Sequence, residues 1–360
     1  MPVTKEAVTK ALSTVQDPDL HQDLVTLGMV KSISVDANNV TAVIELTTPA
    51  CPMKKKIEDD CRNAISQISG IGEIKIEMTA NVRGASIPDG KTAIPGVKNI
   101  IAVSSGKGGV GKSTTAVNLS IALNRLGARV ALLDADIYGP NIPGMMGQSG
   151  RPKVIEKRII PLESQGIHIM SMGFLVSEEQ PLVWRGPMLH GVMKQLLRDV
   201  SWGDQDYLVI DLPPGTGDIQ LTLSQLVPIT GAVIVTTPQN VALQDVKKGI
   251  GMFRQVDVPI LGVVENMSYY LCPKCGNRDE IFSHGGGEAQ AELINEQFFG
   301  HIPLNGELRR CMDAGLPPAG NPDSEFFAIY RALAEKVAQQ VAILNSKNGP
   351  KPFAVIRANS

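Results

Sequence analysis

Apolar and polar positions follow two different rhythms along this chain, and the change falls near residue 98. In the first part, Val8, Ala11, Leu12 and Val15 recur at helical spacing, which predicts a helix over residues 4–16 that "DPDL" (17–20) breaks. "VKSISVD" and "VTAVIEL" then alternate apolar and polar about Ala37-Asn38-Asn39, the pattern of a β-hairpin. A helix is expected from Lys54 to Ile68 and a strand over 73–80. Residues 1–80 therefore read as a small α/β domain. The following stretch, "NVRGASIPDGKTAIPGVK", mixes Pro, Gly and charge without a period, and residues 81–97 are expected to be a linker.

After the linker the strands become short and continuously apolar: "NIIAVSS" (99–105), "RVALLDAD" (129–136), "YLVIDLPP" (207–214), "GAVIVTTP" (231–238) and "PILGVVENM" (259–267). Helical stretches separate most of them. Strands apolar on both faces, alternating with helices, predict an α/β domain with a mainly parallel sheet covered by helices on both faces, here over residues 98–346 with a tail at 347–360. In such sheets the chemistry gathers at the C-terminal ends of the strands. Each of the five runs ends there in polar, Gly or Pro residues.

Composition removes several function classes. The net charge of −2 and the 4% aromatic content supply neither the basic field nor the stacking surface of a nucleic-acid binder, so no nucleic-acid partner is expected. No uninterrupted apolar run approaches the length of a membrane span, and the N-terminus lacks the pattern of a secretory signal. Five cysteines form no disulfide framework, and a reducing cytoplasm is the expected location.

The densest chemistry follows the first continuous strand, in "SSGKGGVGKSTTAVNLS" (104–120). Gly106, Gly108, Gly109 and Gly111, with Val110 between the last two, let the backbone wrap and turn its N–H groups inward, and the start of the next helix adds its positive end. Lys112 is placed to reach the β- and γ-phosphates of ATP, Ser113 to offer its hydroxyl to Mg²⁺, and Thr114 completes the loop. Lys107 lies outside the minimal Walker pattern, adds positive charge to a crowded loop, and by itself reads as a solvated surface lysine.

The spelling "GKGGVGK" resembles the deviant Walker A ATPases, a group containing the nitrogenase iron protein, the MinD and ParA positioning ATPases, the arsenite-pump ATPase and the Mrp/ApbC iron–sulfur carriers. The resemblance implies an ATP-bound homodimer in which Lys107 reaches the nucleotide of the partner subunit. It also implies that Asp136 of "LLDAD" activates the attacking water, that Asp211 of "VIDLPPGTGD" backs the magnesium, that Gly215 brings an amide near the γ-phosphate, and that Asn266 reads adenine. Lys107, Lys112, Asp136 and Asp211 are thus the expected catalytic set of a slow ATP hydrolase. "DADIYGPN" and "DLPPGTGD" are its expected switch segments.

A second constellation lies in "NMSYYLCPKCGNRDEIF" (266–282). Cys272 and Cys275, two residues apart with Pro273 and Gly276 favouring a tight turn, form a metal-binding knuckle, yet a structural zinc or an iron–sulfur cluster needs about four ligands. A two-fold dimer would bring two thiols from each subunit to one site. The cysteines alone leave zinc and iron–sulfur open. His284 reads either as a further ligand or as a turn residue. Cys61 and Cys311 read as buried small hydrophobes, and Cys51, before Pro52 at a strand-to-helix junction, as either a reactive thiol or a packing residue.

Taken together, the deviant loop, "DADIYGPNIP", "DLPPGTGD" and the "CPKCG" pair after "VVENMS" resemble the Mrp/ApbC family over residues 97–345. "DPDL", "DLVTLGMV" and "TPACPM" resemble the SufT-like domain of metal–sulfur cluster assembly proteins. The resemblance implies a dimer-bridging 4Fe-4S cluster, received from a donor scaffold and delivered to recipient apoproteins under ATP control. The rivals are a zinc-bridged dimeric adaptor and a MinD/ParA-like positioning ATPase. Against the latter, the amphipathic stretch 324–346 carries only two basic residues, Arg331 and Lys336, so no membrane partner is expected. The Met-rich stretch 171–197 is read as core and dimer packing.

Overall fold

The computed structural model describes residues 3–88, 90–137, 139–175, 186–215 and 217–348. Trp184, Arg185, the Met188 side chain, Tyr138 and Thr216 of the two expected switch segments, and the tail from 349 lie outside the described residues. The chain divides into two compact units, one of residues 1–83 with the chain from Ala338 onward, the other Gly84–Val337.

The smaller unit contains α1 (Lys5–Leu12), β1 (Val30–Asp36), β2 (Asn39–Leu46), α2 (Lys54–Ser66) and β3 (Ile74–Ala80). Thr4 starts α1 by accepting the Ala7 amide at 3.2 Å on its Oγ1. The helix stops short of residue 16 because Ser13 and Thr14 turn their hydroxyls back onto the Lys10 and Ala11 carbonyls. The "DPDL" turn follows, with buried Asp17 accepting the amides of Asp19 and Leu20 at 2.9 Å each. β1 and β2 form the expected hairpin, and β3 returns parallel to β2 through α2. Val40, Ala42, Ile44 and Leu46 alternate inward along β2, meeting Ile57, Cys61 and Ile65 of α2 and Val8 and Leu12 of α1. Each such fully buried Leu or Ile contributes about 1.5–3 kcal/mol. Cys51 packs half-buried against this core.

The larger unit runs β4 (Ile100–Ser105), α3 (Lys112–Arg125), β5 (Val130–Asp134), α4 (Ile142–Met145), β6 (Lys153–Ile155), β7 (Arg158–Ile160), β8 (Leu162–Ser164), β9 (Ile167–Ser171), α5 (Gly186–Arg198), β10 (Tyr207–Asp211), α6 (Asp218–Leu226), β11 (Gly231–Thr236), α7 (Asn240–Gln255), β12 (Ile260–Glu265), β13 (Tyr270–Leu271), β14 (Arg278–Asp279), α8 (Gly286–Leu293), β15 (Phe298–His301), α9 (Gly306–Asp313) and, as far as Val337, the first part of α10 (Glu325–Asn348). Its main sheet has the order β15-β12-β11-β4-β10-β5-β9-β8, parallel throughout except for the last pair. The five continuous apolar runs are the five contiguous central strands, and every residue in them is buried, as cover on both faces requires. The outer strands β8, β9 and β15 went unread because they are short or broken by polar residues and glycine.

The stretch expected to be a linker is docked from Gly84 onward. Gln205 donates its amide to the Gly96 carbonyl at 2.8 Å, and Val97 bridges to Gln205 beside it. The larger unit ends at Val337, within α10 and before the boundary at 346 expected from sequence; from Ala338 on, the helix packs with the smaller unit, where Gln339 donates to Asp19 Oδ1 at 2.6 Å. The two basic residues of α10 are engaged, Arg331 with Glu335 at 2.9 Å and Lys336 with the Phe299 carbonyl at 3.0 Å. Among the described residues no helix is long and apolar enough to cross a membrane. Met170, Met172 and Met193 are buried, in keeping with packing.

Candidate functional site

The strand order brings the C-terminal ends of β4, β5, β10, β11 and β12 to one edge of the sheet, and the site is built there. The glycine-rich loop leaves β4 at Ser105 and enters α3 at Lys112. Gly106 is required by close approach, since a Cβ there would lie 2.6 Å from the Asp245 backbone of α7. Gly111 is required twice: its φ is +82°, and a Cβ would collide with the Asn266 carboxamide nitrogen. Asn266 itself donates to the Val110 carbonyl at 2.8 Å and is buried. The residue expected to read adenine thus also braces the phosphate loop.

Lys112 donates to Asp211 Oδ1 and Ser113 to Asp211 Oδ2, each at 2.6 Å. Burial pushes the Asp211 carboxyl above its ordinary range, while Lys112 and Ser113 oppose that rise. Asp136 lines the cleft beside the loop. Asp134, its neighbour in the motif, is fully buried and accepts from Ser171 Oγ at 3.0 Å, the Ile142 amide at 3.2 Å and the Asp136 amide at 3.1 Å. Burial, then the charge of Asp211 directly across the β5–β10 ladder, raises its pKa to about 7. Asp134 is therefore a positioning residue that fixes the backbone carrying Asp136, a role spacing alone did not disclose.

Lys107 reaches Gln239 Oε1 at 3.4 Å, and Gln239 also accepts from Thr237 Oγ1 at 2.9 Å. Gln239, just before α7, is a contact that sequence reasoning missed. Lys107, Gly108, Gly109, Lys112, Ser113, Thr114 and Asp136 all face a cleft of about 210 Å³, with Pro214 on its rim. Gly215 follows Pro214, its amide held by the Ser105 carbonyl at 2.9 Å. The loop amides, the lysines and the helix start converge on one polar cavity, which fits a nucleotide's phosphates. The Ser113 hydroxyl beside Asp211 is the hard-oxygen arrangement that suits Mg²⁺. A larger cleft of about 480 Å³ in the smaller unit, lined by Asp17, His21, Lys56 and Asp60 among others, has no comparable loop.

Cys272 and Cys275 sit at the tip of the β13–β14 hairpin, one half-exposed and the other exposed. Cys272 donates its amide to the Asn277 carbonyl at 2.9 Å, Gly276 donates to the Cys272 carbonyl at 2.8 Å, and Gly276 has φ +69°. This is a closed knuckle. The Lys274 and Cys275 amides point at the Cys272 sulfur and hold its thiol below the ordinary cysteine range. His284 does not join the thiols; it faces Glu265 and His301. Cys61 is buried, as expected, and Cys311 is half-buried on α9.

Comparison with known proteins agrees with this geometry. A family model described as NUBPL iron-transfer P-loop NTPase matches residues 96–338, and one described as iron-sulfur cluster assembly protein matches residues 5–78. A Deinococcus radiodurans protein named iron-sulfur cluster carrier protein is 47% identical over 357 residues, covering 98% of this chain and 99% of that protein. An Escherichia coli protein of the same name is 46% identical, covering 93% and 91%. A solved Archaeoglobus fulgidus nucleotide-binding protein, in complex with ADP and described as having Co, is 37% identical with a TM-score of 0.57, covering 65% of this chain and 92% of that one. The cell-division ATPase MinD of Pyrococcus furiosus shares the fold at 24% identity and a TM-score of 0.52, covering 66% and 98%.

Proposed function

The chain belongs to the iron-transfer P-loop NTPase family, and from that premise we propose that it is an ATP-hydrolysing iron–sulfur cluster carrier. Two chains hold one 4Fe-4S cluster between them, receive it from a donor scaffold and pass it to recipient apoproteins. The observation that carries this reading is the exposed thiol knuckle on a hairpin rooted just after β12, the strand whose end braces the phosphate loop through Asn266. The name its Deinococcus radiodurans and Escherichia coli relatives carry, iron-sulfur cluster carrier protein, supports it.

The chain's residues divide the work. The loop amides and Lys112 bind the β- and γ-phosphates, and Lys112 exchanges its Asp211 contact for them. Ser113, backed by Asp211, would hold a Mg²⁺ ion, which would supply positive charge to the phosphates. Asp136, held by Asp134, orients the attacking water. Lys107 leaves Gln239 to reach the nucleotide bound by the partner subunit. Because each chain supplies only two thiols, the cluster site exists only in the dimer, and any ATP-driven change in subunit packing alters how firmly the cargo is held.

The test is anaerobic reconstitution with iron and sulfide, followed by transfer to an apoprotein with ATP, with ADP and without nucleotide. The reading expects about four irons per dimer with an iron–sulfur chromophore, both lost in a Cys272→Ala, Cys275→Ala chain, and a transfer rate that depends on nucleotide. Lys107→Ala should keep nucleotide binding while lowering hydrolysis on the order of 10³-fold, as removal of a charge supplied in trans does. Tight zinc at about one per dimer, with no chromophore after reconstitution, would replace the carrier reading with a zinc-bridged adaptor.

A further inference from the structure

A second group of metal-ligating side chains lies at the root of the thiol hairpin, and nothing in the ATPase or carrier chemistry uses it. Glu265 is the last residue of β12 and is fully buried. Its register partner on β15 is His301. His284 comes to the same spot from the turn leading into α8. The three candidate ligand atoms lie within 4.8 Å of one another. His301 Nδ1 is 3.3 Å and His284 Nδ1 3.7 Å from the same carboxylate oxygen, Glu265 Oε1. A tetrahedral ion with bonds of about 2.0–2.1 Å needs ligand atoms roughly 3.3 Å apart, so these separations are close to what one ion requires.

The surroundings are organised in the same sense. Ser268 Oγ, also buried, donates to Glu265 Oε1 at 2.6 Å and meets His284 Nδ1 at 2.7 Å and His301 Nδ1 at 2.9 Å. Both imidazoles therefore aim the same ring nitrogen at the Ser268 hydroxyl, which lies among the three ligand atoms and must rotate aside for an ion to take its place. Glu265 is immobilised by the amides of Gly285 and Gly287 at 2.9 and 2.5 Å. His301 presents its other nitrogen to Glu288 Oε2 at 3.7 Å, the outer carboxylate that commonly orients a ligating histidine. Met267, between Asn266 and Ser268, has φ +54°, a left-handed turn that points the two neighbouring side chains at separate tasks. Besides the Ser268 hydroxyl, the Arg278 guanidinium opposes a metal: its Nη2 lies 3.1 Å from His284 Nε2 and 3.4 Å from His284 Nδ1. Arg278 has alternatives, Glu280 at 3.7 Å and the Tyr269 ring at 4.4 Å, to which it can withdraw.

We propose that Glu265, His284 and His301, with the Ser268 hydroxyl turned aside, bind one divalent first-row transition ion per chain, separate from the Cys272–Cys275 site. Two imidazoles and one carboxylate suit Zn²⁺, Fe²⁺ or Co²⁺ and disfavour Mg²⁺ and Ca²⁺. Binding there draws Arg278 off His284 and so reaches β14, three residues past Cys275. The site is independent of the carrier reading, since it uses neither thiols nor nucleotide.

The experiment uses the full chain with Cys272→Ala and Cys275→Ala, titrated anaerobically with Co²⁺ alone. The expected result is one Co²⁺ per chain with weak ligand-field bands and no thiolate-to-cobalt charge transfer. Adding His284→Gln and His301→Gln, which keep a side-chain N–H for Ser268, should weaken binding by at least the roughly 10–100-fold that even outer-shell changes cost. With both histidines intact, Zn²⁺ should shift the ring resonances of His284 and His301 and leave the other three of the five histidines in place. No stoichiometric Co²⁺, a thiolate charge-transfer band, affinity unchanged by the glutamine variants, or unmoved His284 and His301 resonances would each overturn the proposal.

Discussion

Lys112 and Asp211 form a buried ion pair at 2.6 Å, their side chains 6% and 1% exposed, at the floor of the phosphate cleft. Removing one member leaves the other charge buried and unpaired, which costs about 3–5 kcal/mol. Asp211→Ala should therefore lower unfolding stability by that order in nucleotide-free protein. Saturating ATP should recover part of the loss, because phosphates give Lys112 a new partner. Urea unfolding with and without nucleotide checks both statements.

Gly111 and Asn266 cannot both keep their places if residue 111 acquires a side chain. Gly111→Ala should cost about 1–3 kcal/mol through its left-handed backbone and displace the Asn266 carboxamide from the Val110 carbonyl. Nucleotide affinity should fall with it. Asn266→Ser in the same chain relieves the collision but not the backbone strain, so a double-mutant cycle should show coupling. Additive effects would mean that the Asn266 contact does not shape the loop.

Asp134 gives the nucleotide-free protein a pH dependence of known sign. Its native pKa of about 7 lies above its ordinary value of 3.8, so between those values the native state binds the extra proton. Its contribution is thus most favourable below about pH 4 and is lost as pH rises through about 7, by about 4 kcal/mol over the whole window. The wild-type stability minus that of Asp134→Asn should fall from pH 5 to pH 8. A flat difference would contradict the assignment.

The cysteines should separate by reactivity. Cys272 is half-exposed on the knuckle and held below the ordinary thiol range by backbone amides, whereas burial, Asp60 and Glu58 push Cys61 up to about 12. Native metal-free protein treated briefly with iodoacetamide near neutral pH should carry label on Cys272 and none on Cys61 by peptide mass spectrometry. Iron–sulfur reconstitution should protect Cys272.

Much of this was legible in the sequence because it is local. Continuous apolar runs disclosed the five central strands, since a strand buried on both faces must be apolar at every position. The glycine spacing before Lys112-Ser113 disclosed the phosphate loop, and the two-residue spacing of Cys272 and Cys275 disclosed the knuckle. What only the tertiary structure decided depends on which strands lie side by side and in what register. Asp134 and Asp136 look equivalent in "LLDAD", yet one is buried across the ladder from Asp211 and the other lines the cleft. Gln239 meets Lys107 because β11 lies beside β4. Glu265 and His301 are 36 residues apart and become neighbours through the β12–β15 pairing, with His284 delivered by the turn that leads into α8. Local spacing encodes what a few residues do together. Sheet order, set by burial of the whole apolar face, determines which of those groups meet.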